Sequence, residues 1–80
     1  MNTVFLVYVQ FNSSYEGKAG FVGEWKPGYY PAIYSMSEMK CAQRFPSEAA
    51  AKAFLNRMKS HFGDRIKYGE VIEKYEADLR

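Results

Sequence analysis

The hydrophobic residues of this chain fall into segments with different periods. In the first segment, Thr3 to Phe11, apolar side chains occupy both sets of alternating positions. Its β-branched and aromatic content is typical of a β-strand. A strand that is apolar on both faces lies centrally in a sheet, or has one face on the core and the other on a partner.

A loop of turn-forming residues, Asn12 to Gly20, leads to a predicted β-hairpin. The arms of the hairpin are Phe21 to Trp25 and Tyr29 to Met36, and the turn between them is Lys26-Pro27-Gly28. Proline presets φ and glycine supplies a positive φ, as a type II turn requires. Pro31 lacks an N–H, so the second arm is an edge strand or bulges near its start.

An amphipathic helix is predicted from Ser47 to Phe62. Pro46 disfavours helix before it, Ser47 is a good N-cap, and Gly63 stands just past the end. The preceding stretch, Ser37 to Phe45, fits either a short helical turn or a further extended piece. With helical periodicity, one apolar stripe contains Ala50, Ala51, Phe54, Leu55, Met58 and Phe62.

The last periodic segment, Ile66 to Tyr75, alternates in the manner of a strand, and a charged tail follows to Arg80. The order is therefore strand, hairpin, helix, strand. This order predicts one α+β domain over residues 1–80, in which a small antiparallel β-sheet is covered by one amphipathic helix.

Composition agrees with a small globular domain. Hydrophobic residues make up 48% and charged residues 25% of the 80 residues, values that argue against disorder. The aromatic share is high at 18%, which helps a short chain to build a core. The formal net charge of +2 is weak, and no run of three Lys or Arg occurs, so the charge neither requires nor excludes a polyanionic partner.

The single cysteine, Cys41, cannot form an internal disulfide, which indicates a reducing, cytoplasmic setting. No Cys-His motif surrounds it, so we expect a buried or half-buried thiol rather than a nucleophile. We expect no signal peptide, because the run Val4 to Val9 is too short and lacks a basic start and a small-residue cleavage site. We expect no membrane partner, because no apolar run approaches the roughly 20 residues that span a bilayer.

Residues for catalysis or metal binding are scarce. His61 is the only histidine and lies near the C-terminus of the predicted helix. At such a position a histidine more often interacts with the helix dipole than binds a metal. No ligands stand at a recognised spacing from His61. Gly17, Gly20 and Gly23 match neither phosphate-binding pattern, and we interpret them as turn glycines. The sequence therefore predicts a protein without catalytic residues, metal or cofactor.

The aromatic residues between Tyr15 and Tyr34 outnumber those that one helix could cover. Strict alternation would place Trp25 on the same face as Phe21, and Tyr30 on the same face as Tyr34. These rings could form a tyrosine-rich sheet face in water, a protein interface, or a base-stacking platform. The candidate binding residues are Trp25, Lys26, Tyr29, Tyr30 and Tyr34.

Residues 36–55 also carry a pattern that resembles small accessory proteins of bacteriophages and prophages. The pattern is an Ala-x-Arg-Phe piece, a Ser or Thr cap, and Glu-x-Ala opening a helix, formed by Ala42, Arg44, Phe45, Ser47, Glu48 and Ala50. The resemblance implies a phage accessory gene. Such genes often encode small inhibitors of host proteins, including anti-CRISPR and other anti-defence proteins, and would place the protein in the host cytoplasm.

Three hypotheses follow. The first is a phage-type protein that occupies a surface of a host protein through the hairpin aromatics. The second is a weak nucleic-acid-binding module that combines the same aromatics with Lys18, Lys26 and Arg44, whose affinity would fall steeply with salt. The third is a homodimer joined through an uncovered sheet face or edge.

Overall fold

A computed structural model describes residues 2–80 and confirms the α+β architecture. The strands are β1 (Thr3–Phe11), β2 (Ala19–Val22), β3 (Ile33–Tyr34) and β4 (Ile66–Tyr75), and the helix is α1 (Glu48–Phe62). The four strands form one antiparallel sheet in the order β3-β2-β1-β4. The apolar strand β1 is thus central, which is the first of the two alternatives given for it, and the long strand β4 lies at an edge.

The stretch before the helix contains both of the predicted alternatives. Met36–Cys41 is a 3₁₀ helix, and the chain then becomes extended. Phe45 forms an isolated bridge with Phe5, in which each N–H donates to the carbonyl oxygen of the other residue over 2.9 Å. This bridge continues the sheet beside β1 after β2 has diverged, and it delivers the chain to the start of α1.

Helix α1 begins and ends where the sequence predicts. The Ser47 hydroxyl accepts a hydrogen bond from the N–H of Ala50 over 3.1 Å, which satisfies an N-terminal donor. At the other end, the guanidinium of Arg65 donates to the carbonyls of Phe62 (3.1 Å) and His61 (3.2 Å). No helix among residues 2–80 is long and apolar enough to cross a membrane.

The main core lies between α1 and one face of the sheet. The predicted helix stripe is confirmed, since five of its residues are buried and Ala50 is half-buried. At Gly69 the helix sits directly on β4, because a Cβ at that position would stand 2.8 Å from Leu55 Cδ1. The buried members of this core are Val7, Val9, Phe11, Val22, Phe45, Ala51, Phe54, Leu55, Met58 and Phe62.

The second face of the sheet is partly covered by 3₁₀ segments, and this covering was not predicted from the sequence. Leu6 is fully buried there beneath Ala42 and Leu79, with Phe21 beside them. Leu79 belongs to the 3₁₀ segment Glu76–Leu79, within the tail that we expected to be a charged extension. The second apolar face of β1 is therefore satisfied within the chain over part of its length.

The expectation of a buried or half-buried Cys41 was wrong, because the thiol is exposed. Cys41 ends the 3₁₀ segment Met36–Cys41, in which residues three apart share a side. Met39 and the following Ala42 pack against the second face of the sheet. Cys41 lies between these positions and so points away from the sheet.

Candidate binding surface

A β-bulge redirects the hairpin just after β2. The strands pair regularly where Phe21 faces Tyr34. Further on, the N–H of Gly23 donates to the carbonyl of Ala32 over 2.8 Å, while the N–H of Ala32 donates to the carbonyl of Glu24 over 3.2 Å. Two residues of the first arm therefore oppose one residue of the second, which defines a bulge and reverses the alternation beyond it.

The bulge overturns the predicted position of Trp25. Strict alternation placed this ring with Phe21, yet the extra residue turns it to the helix face. Its indole packs edge-on against Phe54 with ring centroids 5.8 Å apart, and against His61 at 5.5 Å. Phe62 lies 5.8 Å away at a tilted angle. Half-buried Trp25 is therefore both a cover for the core and part of the surface.

The turn beyond Trp25 is the predicted type II turn. The N–H of Tyr29 donates to the carbonyl of Lys26 over 3.1 Å, and Gly28 has a φ of 95°. The indole Nε1–H of Trp25 donates to the carbonyl of Tyr29 over 2.9 Å, which ties the turn to the ring. The side chains of Lys26 and Tyr29 project outward, and Tyr29 is 72% exposed.

Two helix residues adjoin the turn and complete the surface. A shallow groove runs between hairpin and helix, and its lining includes Pro27, Arg57 and His61. Within residues 2–80, neither Lys26 nor Arg57 forms an ion pair with a carboxylate. We call the group Trp25, Lys26, Tyr29, Arg57 and His61 the tip surface. It combines aromatic area with uncompensated positive charge.

Sequence reasoning missed the contribution of Arg57 and His61. Helical periodicity did place His61 at the edge of the apolar stripe, where a residue adjoins whatever packs beside the helix. The residue that packs beside His61 is Trp25, and it reaches that position only because of the bulge in the hairpin.

Tyr30 is a candidate that the structure assigns largely to packing. Its ring stacks on Tyr15 with centroids 4.3 Å apart and on Phe62 at 5.1 Å. Hydrogen bonds with the Ser14 hydroxyl (3.3 Å) and the Arg65 guanidinium (3.4 Å) hold the pKa of Tyr30 below its usual value. Half-buried Tyr30 thus packs against the core and lies outside the tip surface.

Tyr34 lies on the opposite face of the sheet from the tip surface. It pairs with Phe21, and its ring covers Gly23, where a Cβ would collide with it. At Gly20, a Cβ would collide with the carbonyl oxygen of Tyr34. Gly20 and Gly23 are therefore sites of close approach, and the turn interpretation holds only for Gly17, which has a φ of 64°.

The three cations predicted for nucleic-acid binding do not lie together. Lys18 sits 4.6 Å above the Tyr15 ring, beside the C-terminal end of β1. Arg44 donates to the carbonyl of Leu79 over 3.0 Å and precedes Phe45, which bridges the other end of β1. Six residues of strand separate these ends, or roughly 20 Å. Lys18 and Arg44 therefore lie toward opposite ends of β1.

Within residues 2–80, no three His, Cys, Asp or Glu side chains are grouped so that they could hold a metal ion. No protein-family model matches the chain, and searches of curated proteins and of solved structures find no match either.

Proposed function

We propose that this chain is a non-enzymatic binding protein that occupies a surface of a larger protein through its tip surface. The observation that carries the proposal is the exposure of Tyr29. A tyrosine that is 72% exposed contributes little to the core, yet its backbone is held by two hydrogen bonds. Tyrosine and tryptophan are enriched among residues that dominate binding energy at protein interfaces.

The fixed backbone of the turn supports this proposal energetically. Binding normally costs about 0.5–1.5 kcal/mol for each flexible side chain that becomes immobilised. Tyr29 has only two side-chain torsions, and its backbone is already fixed by the N–H to Lys26 and the carbonyl to Trp25. The turn therefore presents a large ring at low entropic cost. Lys26 and Arg57 would form a positive rim that suits a partner with an acidic border.

The resemblance of residues 36–55 to phage and prophage accessory proteins extends the proposal. The partner would be a host protein, such as a component of a defence complex, and binding would inhibit it in the host cytoplasm. The tip surface is separate from that segment, so the two arguments are independent. If the partner proves unrelated to defence, the inhibitor proposal fails while the binding proposal stands.

A pull-down from bacterial lysate with three tagged proteins tests the binding proposal. The parent and Met36→Ala should retain the same partner, whereas Tyr29→Ala should lose most of it. Met36 is a matched control because it is 75% exposed and lies outside the tip surface. Equal recovery of the partner by all three proteins would contradict the proposal.

The same surface can be tested against nucleic acid, because Trp25 is the only tryptophan and reports on its surroundings by fluorescence. Titration with single-stranded oligonucleotides should leave this fluorescence unchanged at physiological salt. Quenching that saturates at low salt and weakens steeply as salt rises would instead support the nucleic-acid-binding hypothesis.

A further inference from the structure

Strand β4 has one paired edge and one open edge. It is ten residues long and pairs with β1 from Tyr75 to Ile66. It is the last strand in the order β3-β2-β1-β4, so no strand of residues 2–80 lies on its other side. A long open edge presents a row of backbone donors and acceptors that another strand can pair with.

The outward-pointing groups of β4 follow from the hydrogen bonds of β1. The backbone groups of Phe5 bond to Phe45, and the N–H of Phe11 bonds to Lys18, both on the side of β1 away from β4. In an antiparallel sheet successive residues point to alternate sides, so Leu6 and Tyr8 of β1 point toward β4. Their partners on β4 are Ile72 and Glu70. The intervening residues of β4 therefore point outward, and these are Gly69, Val71, Glu73 and Tyr75.

Two features that often protect an edge, a proline and a β-bulge, are absent from the middle of β4. The strand contains no proline, and its one register shift lies at the far end, opposite Gln10 and Phe11. The 3₁₀ segment Glu76–Leu79 turns back instead toward β1, since the N–H of Glu76 donates to the carbonyl of Asn2 over 3.0 Å. From Gly69 to Tyr75 the edge is open for pairing.

We propose that this edge pairs with β4 of a second copy of the chain, antiparallel and centred on Ile72. The two-fold axis would place Ile72 opposite itself, and Glu70 opposite Lys74 of the other copy on both sides of the axis. These residues share one face of the sheet, with Ile72 half-buried at the centre. The outward groups of Val71 would bond to those of Glu73, and the result is a continuous sheet of eight strands.

The charges of β4 select this register. An antiparallel two-fold pairing keeps each side chain on its own face, so only registers centred on a residue are allowed. Centring on Glu70, Glu73 or Lys74 would oppose like charges directly, which destabilises a pair of strands. In the registers centred on Val71 or Gly69, no residues of opposite charge face each other across the two strands. The register centred on Ile72 gives two opposite-charge pairs and no like-charge pair.

This association is independent of the proposed partner binding. The tip surface consists of the turn between β2 and β3 and of two α1 residues beside it, whereas β2 and β3 lie on the other side of β1 from the open edge. The paired segment is short compared with stable dimer interfaces, so we expect reversible association that depends on concentration.

The experiment is sedimentation of the parent and of two variants, Glu70→Lys and Lys74→Glu, from about 10 µM to about 1 mM. The parent should move from the monomer mass of 9.2 kDa to twice that mass. Each variant alone opposes like charges twice and should dimerise at least about tenfold more weakly. An equimolar mixture of the two variants restores both attractive pairs, and it should dimerise like the parent.

The mixture makes the result specific to the register. A parent that stays monomeric over the whole concentration range overturns the proposal. The open edge of β4 would then be free to pair only with a strand of another protein. Variants that dimerise like the parent, or a mixture that stays monomeric while the parent dimerises, overturn it equally. If circular dichroism shows that either variant is unfolded, hydrogen exchange of the parent tests the pairing instead. The outward amides of Val71 and Glu73 should become protected as concentration rises, and unchanged exchange would refute the pairing.

Discussion

Truncation of Trp25 to alanine should destabilise the fold strongly, although this residue lies at the tip of a hairpin. Its ring is half-buried and contacts Phe54, His61 and Phe62. A fully buried aromatic side chain removes about 200 Å² from water, which at about 25 cal/mol/Å² is worth about 5 kcal/mol. Part of this ring remains exposed, and the unfolded chain also buries some of it. We therefore expect a loss of about 3 kcal/mol.

A loss of this size is easy to measure in so small a domain. Each kcal/mol shifts the Tm of a domain of this length by about 4–8 °C, so Trp25→Ala should melt roughly 12–24 °C below the parent. The assay is thermal and urea unfolding followed by circular dichroism, because the variant has no tryptophan fluorescence. Trp25→Phe is the matched control: it keeps a ring against the helix but loses the Nε1–H bond to Tyr29.

The control should lose less than about 1 kcal/mol, since the lost hydrogen bond is exposed to solvent. A loss below about 1 kcal/mol for Trp25→Ala itself would refute the reasoning. It would mean that the indole does not cover the core and that the bulge does not turn it to the helix face.

Three further predictions concern the packing of the core and the titration of one tyrosine. Phe54→Ala should cost about 3–5 kcal/mol in urea unfolding, because Phe54 is 5% exposed at the centre of the helix–sheet contact; a loss under about 1 kcal/mol would contradict this. Gly69→Ala should cost about 1–3 kcal/mol by crowding Leu55, and its cost should shrink in a Leu55→Ala background. Tyr68 should ionise above its usual range, because its hydroxyl donates to the Glu70 carboxylate over 2.6 Å and this bond raises the pKa of Tyr68. The bond therefore stabilises the fold below the pH at which tyrosine titrates, and this stabilisation is lost above that pH. NMR titration of Glu70→Gln should show the pKa of Tyr68 lowered toward its usual value, and an unchanged pKa would contradict this.

The regular elements were predictable because their signals are local. Ser47 caps the helix, Gly63 follows it, and the stripe between them has a helical period, so the bounds of α1 follow from neighbouring residues. Strand β1 is a run of nine residues rich in β-branched and aromatic side chains, and β4 alternates over ten residues, so each pattern is long enough to be recognised. The type II turn at Pro27-Gly28 depends on two residues only.

The candidate site was less predictable, because one added residue in a hairpin arm reverses every later side chain. The bulge at Gly23 and Glu24 depends on the hydrogen bonds that these residues form with Ala32 of the other arm, and no local sequence pattern indicates it. Of the five predicted binding residues, Trp25, Lys26 and Tyr29 lie together. Tyr30 and Tyr34 are directed elsewhere by tertiary packing.

The covering of the second sheet face was hidden for a related reason. The 3₁₀ segment Met36–Cys41 has too few turns to show a period, and Leu79 is one apolar residue in a polar tail. Their burial of Leu6 weakens the argument that an exposed apolar face drives self-association. Dimerisation therefore remains a prediction, now based on the open edge of β4.

The central claim is that the tip surface binds a protein partner, and it is tested most directly by calorimetric titration of the captured partner. Tyr29→Ala should weaken the affinity by about 2 kcal/mol or more, which is about thirtyfold, while Met36→Ala should leave it unchanged. Both variants should keep the parent Tm to within a few degrees, because both side chains are mostly exposed. An unchanged affinity for Tyr29→Ala, with its fold intact, would contradict the claim.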